Sequence, residues 1–523
     1  MSCRVVIPTA GTGSRLGVLT NYINKSLVNI GNQPTISHLI NQFPKDYEFV
    51  IALGYKGNLV REFLEIAYPG RKFLFVEVDK YEGEGSGLGY SLMCCEQFLQ
   101  QPFIFLSCDT LVKEEIPPPD KNWMGYAQTE NLSPYRTLSV EDNKVSSIHD
   151  KGDFSGLNQQ AYIGLAGIKD YDSFWMAMRQ GSSSAIDHGE AYGLKVILEN
   201  LQIDAQSFTW FDTGTPSALE KAREAYRQPN EPNILEKENE AIWFVDKHVI
   251  KFSDDQSFIK NRVHRAQILK EFTPEILASR SHIYCYQKVD GEVLSKVITL
   301  PMFQLLLEHC QNFWINAKLT KEEQKNFVNT CRNFYKNKTL ERVELFYHNF
   351  DKHDSQESIN DEKMPTLSLL LREINWKDLA NGLPGRFHGD FHFENILWKE
   401  KTKDFIFLDW RQDFGGHLEV GDIYYDLAKL LHGLIVSHEL ISANAFDVFW
   451  GDNNISFDLH RKQAHVECEK YFEEWCGKNG FDFSKVRILT ALIYLNIASL
   501  HHFPYSLLLY ALGKRMLKHE LDK

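Results

Sequence analysis

One polar stretch divides the chain into two regions of different rhythm, and that division limits the fold more than any other feature. It runs RQPNEPNILEKENE from Arg227 to Glu240, with two prolines and few apolar residues, and is expected to be a linker. Ahead of it, short β-branched or aromatic runs alternate with helix-spaced segments. The runs include Arg4 to Pro8, Phe49 to Leu53, Phe73 to Val78 and Phe103 to Ser107; the helical segments include Ile36 to Phe43 and Leu59 to Ala67. This βαβ rhythm predicts an α/β domain over residues 1–226, with a mostly parallel sheet covered by helices on both faces. Behind the linker, strand formers come first, Ala241 to Ser253 and His282 to Val289, and helical patterns follow from about Ile298 to the C terminus. That order predicts an α+β domain over 241–523, a small sheet lobe of about 241–297 on a helical lobe of about 298–523. The charged segment Asp351 to Pro365 is expected to be an exposed loop.

Composition narrows the function. The chain has 523 residues, too many for one ordinary domain, and 43% hydrophobic with 24% charged residues excludes global disorder. Lys and Arg total 57 against 70 Asp and Glu, a net charge of -13, so a nucleic-acid backbone is not the expected partner. Nine scattered cysteines without a C-x-x-C pair argue against a disulfide framework and a zinc site. No apolar run approaches the roughly 20 residues that cross a bilayer, and the first twenty residues read as a strand and a glycine loop. A cytoplasmic protein without membrane insertion is expected; a homo-oligomer is left open.

The first chemical constellation is VVIPTAGTGSRLG, which sets Gly11, Gly13 and Gly17 directly after a strand with Arg15 inside the loop. Glycines there let backbone N–H groups approach a phosphate chain. A dinucleotide fold or a tight turn would also use them, but Arg15 and Lys25 add two cations within reach of a triphosphate, and no acidic residue closes a second strand as nicotinamide binding prefers. The segment resembles the nucleotidylyltransferases that make NDP-sugars and CDP-alcohols, over about residues 3 to 226, which implies a Rossmann-like fold. The resemblance implies that GEGSGLGYSL, with Gly83 and Gly85, faces the nucleobase. It further implies that Asp109 in FLSCDTLV and Asp212 in WFDTGTPSAL hold Mg2+, and that Lys151 in HDKGD contacts a sugar phosphate. Arg15 and Lys25 become catalytic, with Gly11 and Gly13 at the nucleotide. Asn24 stands where many members have proline.

The second constellation is RFHGDFHFENILW, in which His388, Asp390, His392 and Asn395 form an H-G-D-x-H-x-x-N pattern, and fourteen residues later comes Asp409 in FIFLDWR. Two His and two Asp could ligate a transition metal, but Phe391 and Phe393 between them suit a packed loop better. The pattern resembles the aminoglycoside phosphotransferase and choline kinase superfamily, relatives of protein kinases with a two-lobed fold, over about residues 240 to 515. The resemblance implies Asp390 as the base that accepts a substrate hydroxyl proton, and Asn395 and Asp409 as Mg2+ ligands. It implies His388 as a structural residue, Lys251 in HVIKFS as the lysine on ATP phosphates, and Tyr286 in the segment that meets adenine. Asp422 and Asp426 fall in the helix start that supports the catalytic loop, where an N-cap is an equal reading for Asp422. Arg265 stands where the family places a glutamate to pair with the lysine.

A kinase makes R–O–phosphate and a nucleotidylyltransferase consumes it, so the two halves suit one bifunctional enzyme using ATP and a second NTP, GTP or CTP. Arg411, after the metal aspartate, stands where choline kinase relatives continue with an acidic residue. As a substrate contact it disfavours choline and suits a hydroxyl-rich or anionic acceptor. The expected substrate is a sugar, phosphorylated at its anomeric hydroxyl and activated as a surface-polysaccharide precursor. The alternatives are a choline, ethanolamine or polyol kinase joined to a cytidylyltransferase, a nucleotidylyltransferase with a non-catalytic kinase-like domain, and an antibiotic kinase whose fusion is incidental.

Overall fold

The computed structural model describes residues 3–227 and 237–523; residues 228–236, most of the expected linker, lie outside the described residues. The chain forms two compact units, Met1–Ile259 with Leu277–Lys288, and Lys260–Ile276 with Val289–Lys523.

The first unit is built on a nine-stranded sheet. In chain order its strands and an accompanying pair are β1 (Arg4–Pro8), β2 (Glu48–Leu53), β3 (Lys72–Glu77), β4 (Phe103–Leu106), β5 (Thr110–Val112), β6 (Trp123–Ala127), β7 (Thr137–Glu141), β8 (Lys144–His149), β9 (Gln159–Ile168), β10 (Asp204–Ser207) and β11 (Trp210–Asp212). The sheet order is β3-β2-β1-β4-β9-β6-β10-β8-β7, and β5 pairs with β11 apart from it. Strands β3, β2, β1 and β4 run parallel, as the βαβ rhythm predicts, while β9 runs antiparallel to β4 and opens a mixed half. Val5, Val6, Ile7, Phe49, Val50, Ile51 and Phe103 to Leu106 are all fully buried, as a strand covered on both faces requires. The loop that leaves β1 carries the glycines, so the candidate phosphate site sits at the carboxyl end of a parallel strand.

The expected small lobe beginning at residue 241 does not form a compact unit of its own. The strands Glu240–Val245, His248–Ser253 and Ile283–Gln287 pair in one small sheet and group with the N-terminal unit. Trp243 is the reason. Its indole is fully buried, meets Phe63 edge-on at 5.1 Å and donates from Nε1 to the Leu27 carbonyl at 3.1 Å, while the Phe244 N–H donates to Asn32 O at 2.7 Å.

The second unit is mostly helical. Helices Ile423–Ile435, Phe483–Ala498 and Tyr505–Leu521 carry the core, and the hairpin of Ile396–Lys399 with Asp404–Phe407 follows the H-G-D turn and positions Asp409. The expected loop Asp351 to Pro365 is instead partly a hairpin, Glu357–Ile359 with Glu362–Met364, which pairs with Asn454–Leu459. Its charges are consumed locally: Glu357 binds Lys514 at 2.6 Å in a pair that is almost wholly buried, and Glu362 meets Arg515, Lys518 and His519.

Candidate active sites

In the first unit a cavity of about 370 Å³ opens at the end of β1, lined among others by Gly11, Arg15, Lys25, Asp109, Lys151 and Asp212. The pairing of β5 with β11 sets Asp212 opposite Thr110 and so brings the two carboxylates to one place. Lys25 Nζ lies 3.1 Å from Asp109 Oδ2 and the Arg15 guanidinium 4.0 Å from it, while Ser107 donates to Asp109 Oδ1 at 2.6 Å. Burial works against ionisation of Asp109, but Lys25, Ser107 and Arg15 overcome it and hold the carboxyl down at about 2. Asp212 accepts from Tyr135 at 3.0 Å and from the Gly214 N–H at 2.8 Å. A Cβ on Gly214 would lie 3.0 Å from Asp212 Oδ1, 3.0 Å from the Arg15 guanidinium and 3.4 Å from Asp109 Oδ2, so both carboxylates converge on a cradle that only glycine leaves open. Two hard oxygen donors around such a gap fit Mg2+.

The rest of the loop is shaped for close approach. Gly13 adopts φ 69°, and a Cβ there would meet Lys25 Cβ at 2.8 Å, whereas Gly11 has open space beside it. Asn24, in the place of proline, is fully buried: its side chain donates to Thr9 O and Tyr55 O and accepts from Ser26, which pins the loop that presents Lys25. Lys151 lines the cavity, and its pKa is lowered by burial and by Arg136 and Arg15.

In the second unit Asp390 sits at the H-G-D turn beside two cations. Lys429 Nζ is 2.8 Å from its Oδ1 and His392 Nε2 is 3.5 Å from its Oδ2. Burial opposes ionisation of Asp390, but Lys429 and His392 hold it well below the usual carboxylate range; burial likewise opposes protonation of His392, but Asp390 and Glu394 raise it to about 9. Asn395 donates to Asp390 O at 2.9 Å and Oδ2 at 3.3 Å, and the Leu408 N–H donates to Asn395 O at 2.7 Å, which ties the turn to the strand preceding Asp409. Asp409 takes φ 58° and faces Arg262 at 3.7 Å. The oxygen donors of Asn395 and Asp409 suit a hard cation.

Buried groups fix this turn. His388 is fully buried, and burial first of all holds its pKa down to about 3. The ring bonds the Leu408 carbonyl at 2.8 Å and accepts from the Asp390 N–H at 3.2 Å, a structural role. Asp426 accepts from the N–H groups of His388 and Gly389 at 2.6 and 2.7 Å, and Asp422 caps its helix by accepting from the Tyr424 N–H at 3.0 Å. Arg265, fully buried, donates to the carbonyls of Leu418 at 3.0 Å, Arg411 at 2.5 Å and Phe387, and stacks on the Phe387 ring at 3.7 Å. It clamps the H-G-D turn through those carbonyls.

Not every expected residue converges. Gly83 and Gly85 both have positive φ and open surroundings, but the cavity is lined by Ser86, Gly87 and Leu88 from that loop. Lys251 and Tyr286 are buried in the small sheet, opposite Tyr284 and Val249 respectively. The sequence reading missed Tyr135 and Arg136 at the first site, in the connection that leads into β7, and Lys429 and Lys338 at the second, on two helices; the partners of each are distant in sequence.

A model of the "Phosphotransferase enzyme family" matches residues 328–451. The first region is 26% identical over 192 residues to a probable glucose-1-phosphate cytidylyltransferase of Bacillus subtilis, covering 31% of this chain and 74% of the relative. It is 21% identical over 222 residues to the bifunctional protein GlmU of Methanococcus vannielii, covering 40% of this chain and 52% of the relative. A solved CTP:phosphocholine cytidylyltransferase from Streptococcus pneumoniae is 19% identical, with a TM-score of 0.38 over 43% of this chain and 100% of that one. No helix among the described residues is long and apolar enough to cross a membrane. The chain is a bifunctional transferase, nucleotidylyltransferase-like in its first region and matched by the phosphotransferase enzyme family in its second.

Proposed function

We propose that the C-terminal unit phosphorylates a small hydroxyl compound with ATP and that the N-terminal unit joins a nucleoside monophosphate to the product. The observation that carries this reading is the coexistence of two complete charge sets, Asp390 held as a carboxylate by Lys429, and Asp109 with Asp212 flanked by Arg15 and Lys25. In the first step the acceptor hydroxyl oxygen attacks the γ-phosphorus, the bond to the β,γ-bridging oxygen breaks, ADP leaves, and the hydroxyl proton passes to Asp390. In the second, a phosphate oxygen of R–O–phosphate attacks the α-phosphorus of an NTP and pyrophosphate leaves. Arg15, Lys25, Lys151 and Arg136 offset the repulsion between the two anions. Asp109 and Asp212 in one site, and Asn395 and Asp409 in the other, would hold magnesium, which would supply a Lewis acid there.

The favoured acceptor is a sugar at its anomeric hydroxyl, with GTP or CTP as the second nucleotide and a surface-polysaccharide precursor as product. Arg411, whose side chain packs on Gly389 next to Asp390, supports a sugar over choline or ethanolamine. A binding-only role for the C-terminal unit loses its motivation, because Arg265 serves the catalytic turn. Phosphorus NMR of the intact protein with magnesium, ATP, each of four NTPs and a panel of sugars, polyols and amino alcohols tests the reading. One acceptor and one NTP should together give pyrophosphate and a new diphosphate diester signal; ATP consumption that never yields a diester would sink it.

A further inference from the structure

The side of the second unit that faces Asp390 carries more positive charge than its own carboxylate can match. Lys429 is paired with Asp390 at 2.8 Å. Further cations come from other elements: Lys338 and Arg342, four residues apart on the helix Lys338–Asn349, and Arg411 after the strand Asp404–Phe407, with Lys338 close enough to feel the charges of Arg411, Lys429 and Arg342. Lys338 Nζ and the Arg411 guanidinium lie 4.4 and 5.4 Å from the centre of one ring, Phe334, and the Arg411 stem runs 2.9 Å from where a Gly389 Cβ would be, one residue from Asp390. Among the described residues none of the three has a carboxylate within 4.0 Å, and the buried Arg411 Nε has no hydrogen-bond partner. Burial, reinforced by Arg411, Lys429 and Arg342, pushes the Lys338 pKa down to about 7. Clustered, partly buried cations without counter-charges are costly, and an anionic ligand removes that cost.

We propose that the acceptor phosphorylated by this unit carries a fixed anionic group of its own, a carboxylate or a phosphate monoester, which Lys338, Arg342 and Arg411 hold beside Asp390. The inference rests on the kinase reading above and names its substrate class. The transfer itself is unchanged: the hydroxyl oxygen bonds the γ-phosphorus, ADP leaves, and Asp390 takes the proton. The anion sets which hydroxyl reaches the base, so an uncharged sugar of the same size binds without orientation.

The test uses the full chain, magnesium ATP and matched acceptors: hexoses, their uronates, and their 6-phosphates with the anomeric hydroxyl free. Turnover is expected for an anionic member and not for its neutral parent, with the carboxylate and phosphate arms deciding the source of the charge. Lys338→Met should raise KM for that acceptor about tenfold or more while KM for ATP stays within about twofold. Arg342→Met, at a half-buried position, gives the same split should Lys338→Met fail to fold. Turnover of the neutral parent alone overturns the proposal, as does an equal rise in KM for ATP, which would assign the cations to the nucleotide. ATP consumption with no phosphorylated acceptor from any arm instead fails the kinase reading.

Discussion

Lys429 Nζ stands 2.8 Å from Asp390 Oδ1, so a lysine from the helix Ile423–Ile435 holds the carboxyl of the H-G-D turn in its charged form. Asp390 accepts a proton only as a carboxylate, and its folded pKa lies below the ordinary value, so phosphorylation should persist as pH falls into the carboxylate range. Lys429→Met raises that pKa and should move the acid limb of kcat/KM to higher pH. A pH profile of ATP-dependent phosphorylation checks this, and an unmoved limb would show that Lys429 does not set the charge of the base.

The two sites should fail separately. Asp390→Asn is expected to reduce phosphorylation by about 10²–10⁴-fold and to spare nucleotidyl transfer to supplied R–phosphate. Asp109→Ala should do the reverse. Paired assays on each folded variant decide it; loss of both activities from one change would contradict independent sites.

Arg265→Glu should not rebuild a lysine–glutamate pair. It would bury a carboxylate among the carbonyls of Phe387, Arg411 and Leu418 and leave them without donors. A loss of about 3 kcal/mol or more is expected in the second unit, with nucleotidyl transfer retained. Urea unfolding followed alongside both activities reads the difference, and a gain in kinase activity would restore the family's usual pairing as the explanation.

Lys514→Met should cost about 3–5 kcal/mol by stranding Glu357, and replacing both partners with apolar residues should recover most of it. The pair is 2.6 Å apart with both side chains almost wholly buried. Urea midpoints of the single and double variants, together with protease cleavage between residues 351 and 365, provide the measurement. Equal loss in both variants would place the effect in packing and not in charge.

The sequence was most informative where a local pattern decides the structure. Arg4 to Pro8 is read as a strand and forms one to the residue, because an apolar run with both faces covered has few other uses. It was silent where partners are remote. The resemblance implies that Asp109 and Asp212 share a metal, but nothing local announces that two three-residue strands pair to bring them together. The segment 351–365 reads as a loop by composition, but its carboxylates find cations 157 residues away for Glu357 and 156 for Glu362. Arg265 reads as a misplaced partner for Lys251, since nothing in a single helix announces that a guanidinium will be wrapped in carbonyl oxygens.

The burial of Trp243 against Phe63 and Leu27 bears on how such a fusion can be inherited. The chain passes from one unit to the other after Ile259, Ile276 and Lys288. The polar stretch that looks like a seam is therefore a poor breakpoint. A recombination there would strip the first unit of an indole its core was built around, and hand the second a sheet whose hydrophobic face has lost its match. Descendants that lose the second unit should keep the strand Glu240–Val245 with the first.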